Sequence, residues 1–530
     1  MAGKAVADTI PTQERNPVPA KYVGPLMALV VWELAARALT GYYVLAAPST
    51  ILVFIYQNFD LLSRALGVTL ANAAVGFLMG NLAAIALAIH VVVWPKSDAM
   101  VRGLALIVFC LPLVATGPIL RVVFGPGPWP QIVLAALAVY YTTLIPLLVG
   151  LRALPSGWLD LVRSYGRGRW AALIHVRAMA SLPYLVAGLQ IAAPAALLGA
   201  MVGEFTGADR GMGVLTVRAM RGMNVDLTWA LATIATAVAV LSYLAIGWLA
   251  RPYLQDDPPV ILASPTTGSR ALGRFGPLTT TVMIVSATLV LWWFLFKLLN
   301  LNPFFAKGPL EVFDALFLAS DASVTRATLG KALAETAVFL VPGYLAGLAA
   351  GAALAMGLIL FPSVAGTAMP LAIALRSVPI IITAPLVVLM LGRGAVGTIV
   401  LVAIMVFFPT FVACLHGLRQ APGQAIDVFK SYAASPRDVL FQVRIPAMLP
   451  AFFAAARMNV PASILAVTVV EWLATGNGIG SLMALSASLS DYDMLWSSVV
   501  LIAVLSAAGY GAVGALEKRV LATYAPEQIR

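Results

Sequence analysis

Runs of about twenty apolar residues, parted by short polar stretches, recur from end to end of this chain. A helix of that length spans the roughly 30 Å hydrocarbon core of a bilayer. Twelve runs can be placed. The first six cover about 25–41, 69–93, 99–124, 131–150, 180–203 and 227–250. The second six cover about 277–299, 336–361, 366–391, 396–418, 447–470 and 495–514. Between the two groups lies a stretch rich in Pro, Gly, Ser and Thr (RPYLQDDPPVILASPTTGSRALGR), which reads as a linker.

The two groups are copies of one unit. Sliding the sequence by 267 residues aligns it with itself without a gap from Thr69/Thr336 to Leu215/Leu482. Between Asp160 and Leu215, eighteen of fifty-six positions are identical to their partners, far above what an Ala- and Leu-rich composition yields by chance. Structurally demanding residues are among those shared: Gly76/Gly343, Gly80/Gly347, Pro112/Pro379 and Pro183/Pro450. The expected fold is all-α and membrane-embedded, two parallel tandem repeats of a six-helix unit. Its parts are a tail (1–23), repeat one (24–250), a linker (251–276), repeat two (277–522) and a second tail (523–530).

Composition sets the environment. Of the 530 residues, 61% are hydrophobic and 10% charged, against about 25% charged in a soluble chain. The net charge of +11 comes from Lys and Arg in short loops, the placement that cytoplasmic retention produces, so it points away from nucleic acid. The loop after the fourth run carries Arg152, Arg163, Arg167, Arg169 and Arg177 in copy one, and Arg419, Lys430, Arg437 and Arg444 in copy two. Putting these loops in the cytoplasm puts both termini and the linker there too, with Lys4, Arg15, Lys21, Arg270 and Arg274. An even number of spans makes the repeats parallel, unlike the odd-numbered inverted repeats of many ion-coupled carriers. The polar N-terminus holds no short apolar core with a cleavage site, so the first run is expected to be an uncleaved anchor. Cys110 and Cys414 read as small core residues, and three scattered histidines offer no metal-ligand spacing.

The basic loops carry the strongest functional signal: SGWLDLVRSYGRGRWAALIHVRAMASLP in copy one and GQAIDVFKSYAASPRDVLFQVRIPAMLP in copy two. Apolar residues at helical spacing, broken at Gly166, predict two short helices lying flat at the cytoplasmic surface. An amphipathic helix resting on lipid is the plain reading. The same residues at the same spacing in both copies favour a shared partner surface.

This loop resembles the EAA loop of binding-protein-dependent ABC importer permeases, E-A-A, three residues, G, nine residues, I-x-L-P. Asp160, Leu161 and Val162 stand at the first three positions, Gly166 at the glycine and Val176 at the isoleucine. In copy two Asp427, Ala433, Val443 and Ile445-Pro446 hold the corresponding places. Trp32-Glu33-Leu34, Pro48-Ser49, the Gly125-x-Gly127 and Gly392-x-Gly394 turns, and Glu204 and Glu471, each followed by G-x-G, are similar to the nitrate/sulfonate/taurine-type branch. Both copies have Asp for Glu; copy one lacks the L-P pair (Ala178-Met179) and copy two the glycine.

The resemblance implies a fused type I importer pore in the bacterial inner membrane. Its coupling residues would be Asp160, Arg163, Tyr165, Gly166, Arg167, Asp427, Lys430, Tyr432, Ala433 and Arg437. Its partners would be two copies of an ABC ATPase subunit, which carry ATP and Mg, and a periplasmic or lipid-anchored substrate-binding protein. The chain itself has no G-x-x-x-x-G-K-[ST] loop and no catalytic constellation, so no cofactor, metal or enzymatic activity is expected in it. The competing class is an ion-coupled carrier of major-facilitator type, whose basic G-x-x-x-D loop between spans two and three has no counterpart in WPKSDAM or FPSVAG.

Ionisable and amide side chains inside spans are costly and so are candidates for the substrate path. Glu33 and Arg37, four apart, read as a structural pair, and Arg121 as a side chain snorkelling from its span end. Arg376 and Arg457 lie about ten residues into spans that begin in the cytoplasm, replacing Phe109 and Gln190 of copy one. With Asn459, Gln190, Asn81, Glu204 and Glu471 they are the candidate path residues. Two cations without a matching acid in their own spans suggest an anionic cargo such as a sulfonate, nitrate or carboxylate.

Overall fold

The computed structural model describes residues 18–39, 45–152, 156–254, 277–361, 387, 390–392 and 394–524. Nine helices among them are long and apolar enough to cross a membrane, ten when one sharply bent pair is counted as a single span. The chain is a multi-pass all-helical membrane protein. Its spans repeat in the same order in both copies. In copy one they are Phe59–Val93, the bent pair, Trp129–Gly150, Ala178–Phe205 and Val225–Ala250, preceded at the place of the first span by the helix Val18–Ala38, which is not among those ten. In copy two they are Pro277–Leu298, Ala322–Leu360, Ala395–Arg419, Ile445–Val470 and Tyr492–Tyr524, with the third span (366–391) almost wholly outside the described residues.

Three features differ from the sequence expectation. The second spans start ten or more residues early, at Phe59 and Ala322, because polar turns containing Asp60, Arg64, Arg326 and Lys331 continue the helix beyond the apolar run. At 35 and 39 residues these helices are about 50–60 Å long and must project beyond the hydrocarbon core. The third span of copy one is broken: Pro95–Phe109 and Leu113–Phe124 meet at 92°. Pro112, extended at ψ 107, has no N–H to continue the ladder, and the chain turns there. The third difference lies in the basic loops and is described below.

In each copy span four is gripped by spans two and five. Hydrophobic attraction is weak between helices in lipid, so close approach of backbones does this work. Gly76 and Gly80 lie directly on Ala135 and Ala136 of span four, and Gly199 reaches Ala135 from the other side. Gly343, Gly347 and Gly351 seat span two of copy two on span four by the same contact. The largest buried cluster mixes both copies, placing Met201, Met212 and Leu231 with Leu401, Val406 and Val467. Span one of copy two crosses over to copy one, Ile284 packing against Gly103.

Candidate coupling loops and axial cavity

After span four, copy one forms a short helix, Ser156–Ser164, and copy two its counterpart, Gly423–Ser431. Each is closed by a residue in the left-handed conformation, Gly166 at φ 67 and Ala433 at φ 54. The next amide reaches back five residues, Arg167 N–H to Val162 (3.2 Å) and Ala434 N–H to Phe429 (3.0 Å), a Schellman closure in both copies. Ala433 therefore adopts the glycine's backbone without the glycine, at a cost of about 1–2 kcal/mol.

The chain then enters Arg169–Ala172 or Pro436–Val439 and passes through one π turn, Leu173–Arg177 or Leu440–Arg444, directly into span five. The second predicted surface helix is thus the start of span five. The π turn keeps the backbone hydrogen bonds continuous, so nothing separates the two. In copy two Ser435 and Asp438 complete a capping box at this start.

The short helices present large side chains to water: Trp158, Leu161 and Tyr165 (77% exposed) in copy one, Val428 and Tyr432 (84%) in copy two. Asp160, Arg167 and Arg437 are exposed as well, and the side chain of Arg163 lies outside the described residues. Asp427 and Lys430 approach to 3.8 Å, both largely exposed, a contact too screened to define the surface. Leu161 and Val428, and Tyr165 and Tyr432, are exposed at equivalent positions of the two copies.

At the opposite end of the spans, the two copies enclose a cavity of about 670 Å³. Its walls are repeat equivalents, 267 residues apart: Phe205 faces with Trp472, Thr206 with Leu473, and Arg221 with Ser488. Equivalent residues of two parallel copies meet only around their common axis, so this cavity lies on the pseudo-two-fold. Arg121 lines it, and also lines an adjoining cavity of about 400 Å³ with Asn72 and Gln131. Its guanidinium rests on Gly207, whose φ of 124 leaves the side facing Arg121 bare. Arg121 thus points to the axis and does not snorkel away from it.

The sequence profile of the family described as binding-protein-dependent transport system inner membrane component matches twice, at residues 76–253 and 343–522. The chain belongs to that family. It is a fused permease, carrying in one chain the unit that its relatives carry singly. A probable ABC transporter permease of Haemophilus influenzae is 30% identical over 227 residues, 43% of this chain and 93% of the relative. The taurine transport permease TauC of Escherichia coli is 24% identical over 229 residues, 43% of this chain and 83% of its own. The formylaminopyrimidine transport permease ThiX of Halalkalibacterium halodurans is 26% identical over 222 residues, 42% and 89% respectively. The major-facilitator alternative is set aside by this membership.

The remaining path candidates of the permease lie in helix contacts. Glu204 and Glu471, each 1% exposed, accept the N–H of Gly213 (2.7 Å) and Gly480 (2.8 Å), nine residues on. The glycines of each G-x-G allow it: Gly211 (φ 131) and Gly478 (φ 87) sit against the carboxylates, where a Cβ would collide. Thr69 donates to Glu204 (2.7 Å) and accepts from Met212 N–H (2.9 Å); Thr336 accepts from Ile479 N–H (2.9 Å). These clamps tie span two to the turn after span five.

Asn459 donates to Thr410 of span four (2.9 Å), whereas in copy one Asn81 of span two accepts from Thr143, the equivalent threonine (2.6 Å). Gln190 abuts Gly247 of span six. Arg457, at the Gln190 position, meets Glu517 of span six at 3.2 Å and lies over Tyr510. Its acid was missed because it sits on another helix sixty residues away. Arg376 lies outside the described residues. The sequence read Arg121 only as a snorkelling side chain and did not single out Arg221 or the buried Asp98, which binds Arg152 (2.6 Å) and Arg102 (2.5 Å) at the basic end. The one available signal was that Arg121 and Arg221 are cations that copy two replaces with Val388 and Ser488.

Proposed function

We propose that this chain forms the whole membrane pore of an ATP-driven importer, taking a small organic or inorganic anion from an external binding protein. Two copies of a separate ABC ATPase, holding ATP and Mg, would grip the loops around Asp160 and Asp427. Both termini and the 251–276 linker would face the cytoplasm. The observation that carries the reading is the pairing of two identical exposed loop geometries at one end with an axial cavity at the other. A closure of the partner beneath the loops is transmitted through the continuous π-to-span-five helix, whose far end (Phe205, Trp472) forms the cavity wall.

Among the relatives, a taurine permease and a putative aliphatic-sulfonate permease are named for solutes that carry a sulfonate group, which supports an anionic head group on the cargo. The cationic residues supporting it here are Arg121 and Arg221, since Arg457 has Glu517. The test is co-purification of the chain with candidate ABC ATPases co-expressed from the same genome, with ATP hydrolysis and uptake measured in proteoliposomes. Gly166→Pro and Asp427→Arg are expected to abolish coupled uptake while leaving the protein in the membrane. Full ATPase co-purification and full uptake in both variants would refute the docking role.

A further inference from the structure

The axial cavity is symmetric in its walls and asymmetric in its charge. Both cations that line it, Arg121 and Arg221, come from copy one. Copy two offers Trp472, Leu473 and Ala487 at the facing wall and Ser488 where copy one has Arg221. No acidic residue lines this cavity, and Arg121 has no ion-pair partner among the described residues. A half-buried guanidinium held over Gly207 is a fixed donor set, well suited to a sulfonate or carboxylate head. The volume of about 670 Å³ lies within the usual range for organic ligands and far exceeds what a bare oxyanion fills.

We infer that this cavity is a polarised site for an organic anion, its charged head on Arg121 and Arg221 of copy one and its apolar body against Trp472 of copy two. It rests on the import reading and narrows its cargo: inorganic oxyanions such as nitrate leave the apolar wall unused. Two identical subunits could not form such a site, because they would place a cation on both walls; the two diverged copies of this chain can.

The test uses the full chain in phosphatidylcholine nanodiscs, titrated by calorimetry with benzenesulfonate, neutral benzenesulfonamide and sodium nitrate. Benzenesulfonate is expected to bind saturably, with the other two weaker by about tenfold or more, the loss of a charge-assisted contact in one case and of apolar burial in the other. Arg121→Gln should weaken benzenesulfonate by about tenfold or more and Arg121→Lys by less, since the planar fork is lost but the charge kept. Arg221→Gln, at an exposed position with little role in the fold, gives a second reading if Arg121→Gln does not fold. Trp472→Leu should weaken benzenesulfonate while leaving nitrate unchanged.

Equal binding of sulfonate and sulfonamide, no saturable binding, or unchanged affinity in folded Arg121→Gln and in Arg221→Gln would overturn the site. Loss of sulfonate binding in phosphatidylglycerol nanodiscs would assign the cations to lipid headgroups and overturn it too. Complex formation with the co-expressed ABC ATPase, followed on the same preparations, separates the readings. An intact complex without sulfonate binding removes only this site, whereas no complex removes the importer.

Discussion

Arg457 and Glu517 face each other at 3.2 Å between spans five and six of copy two, with side chains 9% and 6% exposed. The equivalent positions of copy one hold Gln190 and Ala250, so the cation and the acid are present together or absent together. The duplication thus contains its own comparison: the same helix crossing exists in a charged and a neutral form. Buried pairs gain little over a neutral replacement, but one partner left alone is costly.

Arg457→Gln or Glu517→Ala alone is therefore expected to destabilise by about 3–5 kcal/mol. The double variant, which recreates the copy-one residues, should recover most of that loss. Thermal unfolding in detergent, arranged as a double-mutant cycle, measures the coupling. Additive losses would show that the two side chains do not stabilise each other.

The coupling turns make a second comparison. Gly166 and Ala433 share a left-handed backbone, and only the second carries a Cβ there. Ala433→Gly should relieve about 1 kcal/mol of strain and Gly166→Ala should introduce as much. Gly166→Pro is more severe, because proline holds φ near −65° and cannot reach 67. Hydrogen exchange at the Arg167 and Ala434 amides reports local opening of each turn, faster in Gly166→Ala and slower in Ala433→Gly.

The threonine clamps predict unequal costs. Thr69→Val removes the acceptor for Met212 N–H and a 2.7 Å bond to buried Glu204, whereas Thr336→Val removes the acceptor for Ile479 N–H and only a weaker contact to Glu471; both hydroxyls also reach the carbonyl four residues back, Ala65 and Ala332. Each orphaned buried group costs about 1–3 kcal/mol, so Thr69→Val is expected to be the more damaging. Unfolding temperatures of the two purified variants decide it, and an equal or reversed order would contradict the bonding described.

Topology gives the last prediction. With both basic loops in the cytoplasm, a cysteine at position 265 (Pro265→Cys) should resist an impermeant maleimide in intact cells and react after permeabilisation. Labelling from outside would break the arrangement of six spans per copy.

Much of this protein is determined along the chain itself. Spans are set by hydropathy, a local property, and the duplication by residue identity, so the twelve-run, two-copy plan needed no coordinates. The shape of the basic loops was legible for the same reason: Asp160 to Gly166 and Asp427 to Ala433 each lie within about two turns of helix, and the spacing carries the geometry. Pro112 was equally visible, yet the 92° bend it permits depends on what packs on either side.

The tertiary structure alone decided which polar residues face each other. Arg457 looked unpaired because its partner is sixty residues distant, and Arg121 looked idle because its direction is fixed by Gly207. Asn459 looked like a path residue until span four supplied Thr410. The axial cavity is visible in neither copy alone. It exists because two parallel units meet around one axis, and no pattern within a single unit encodes what the other presents to it.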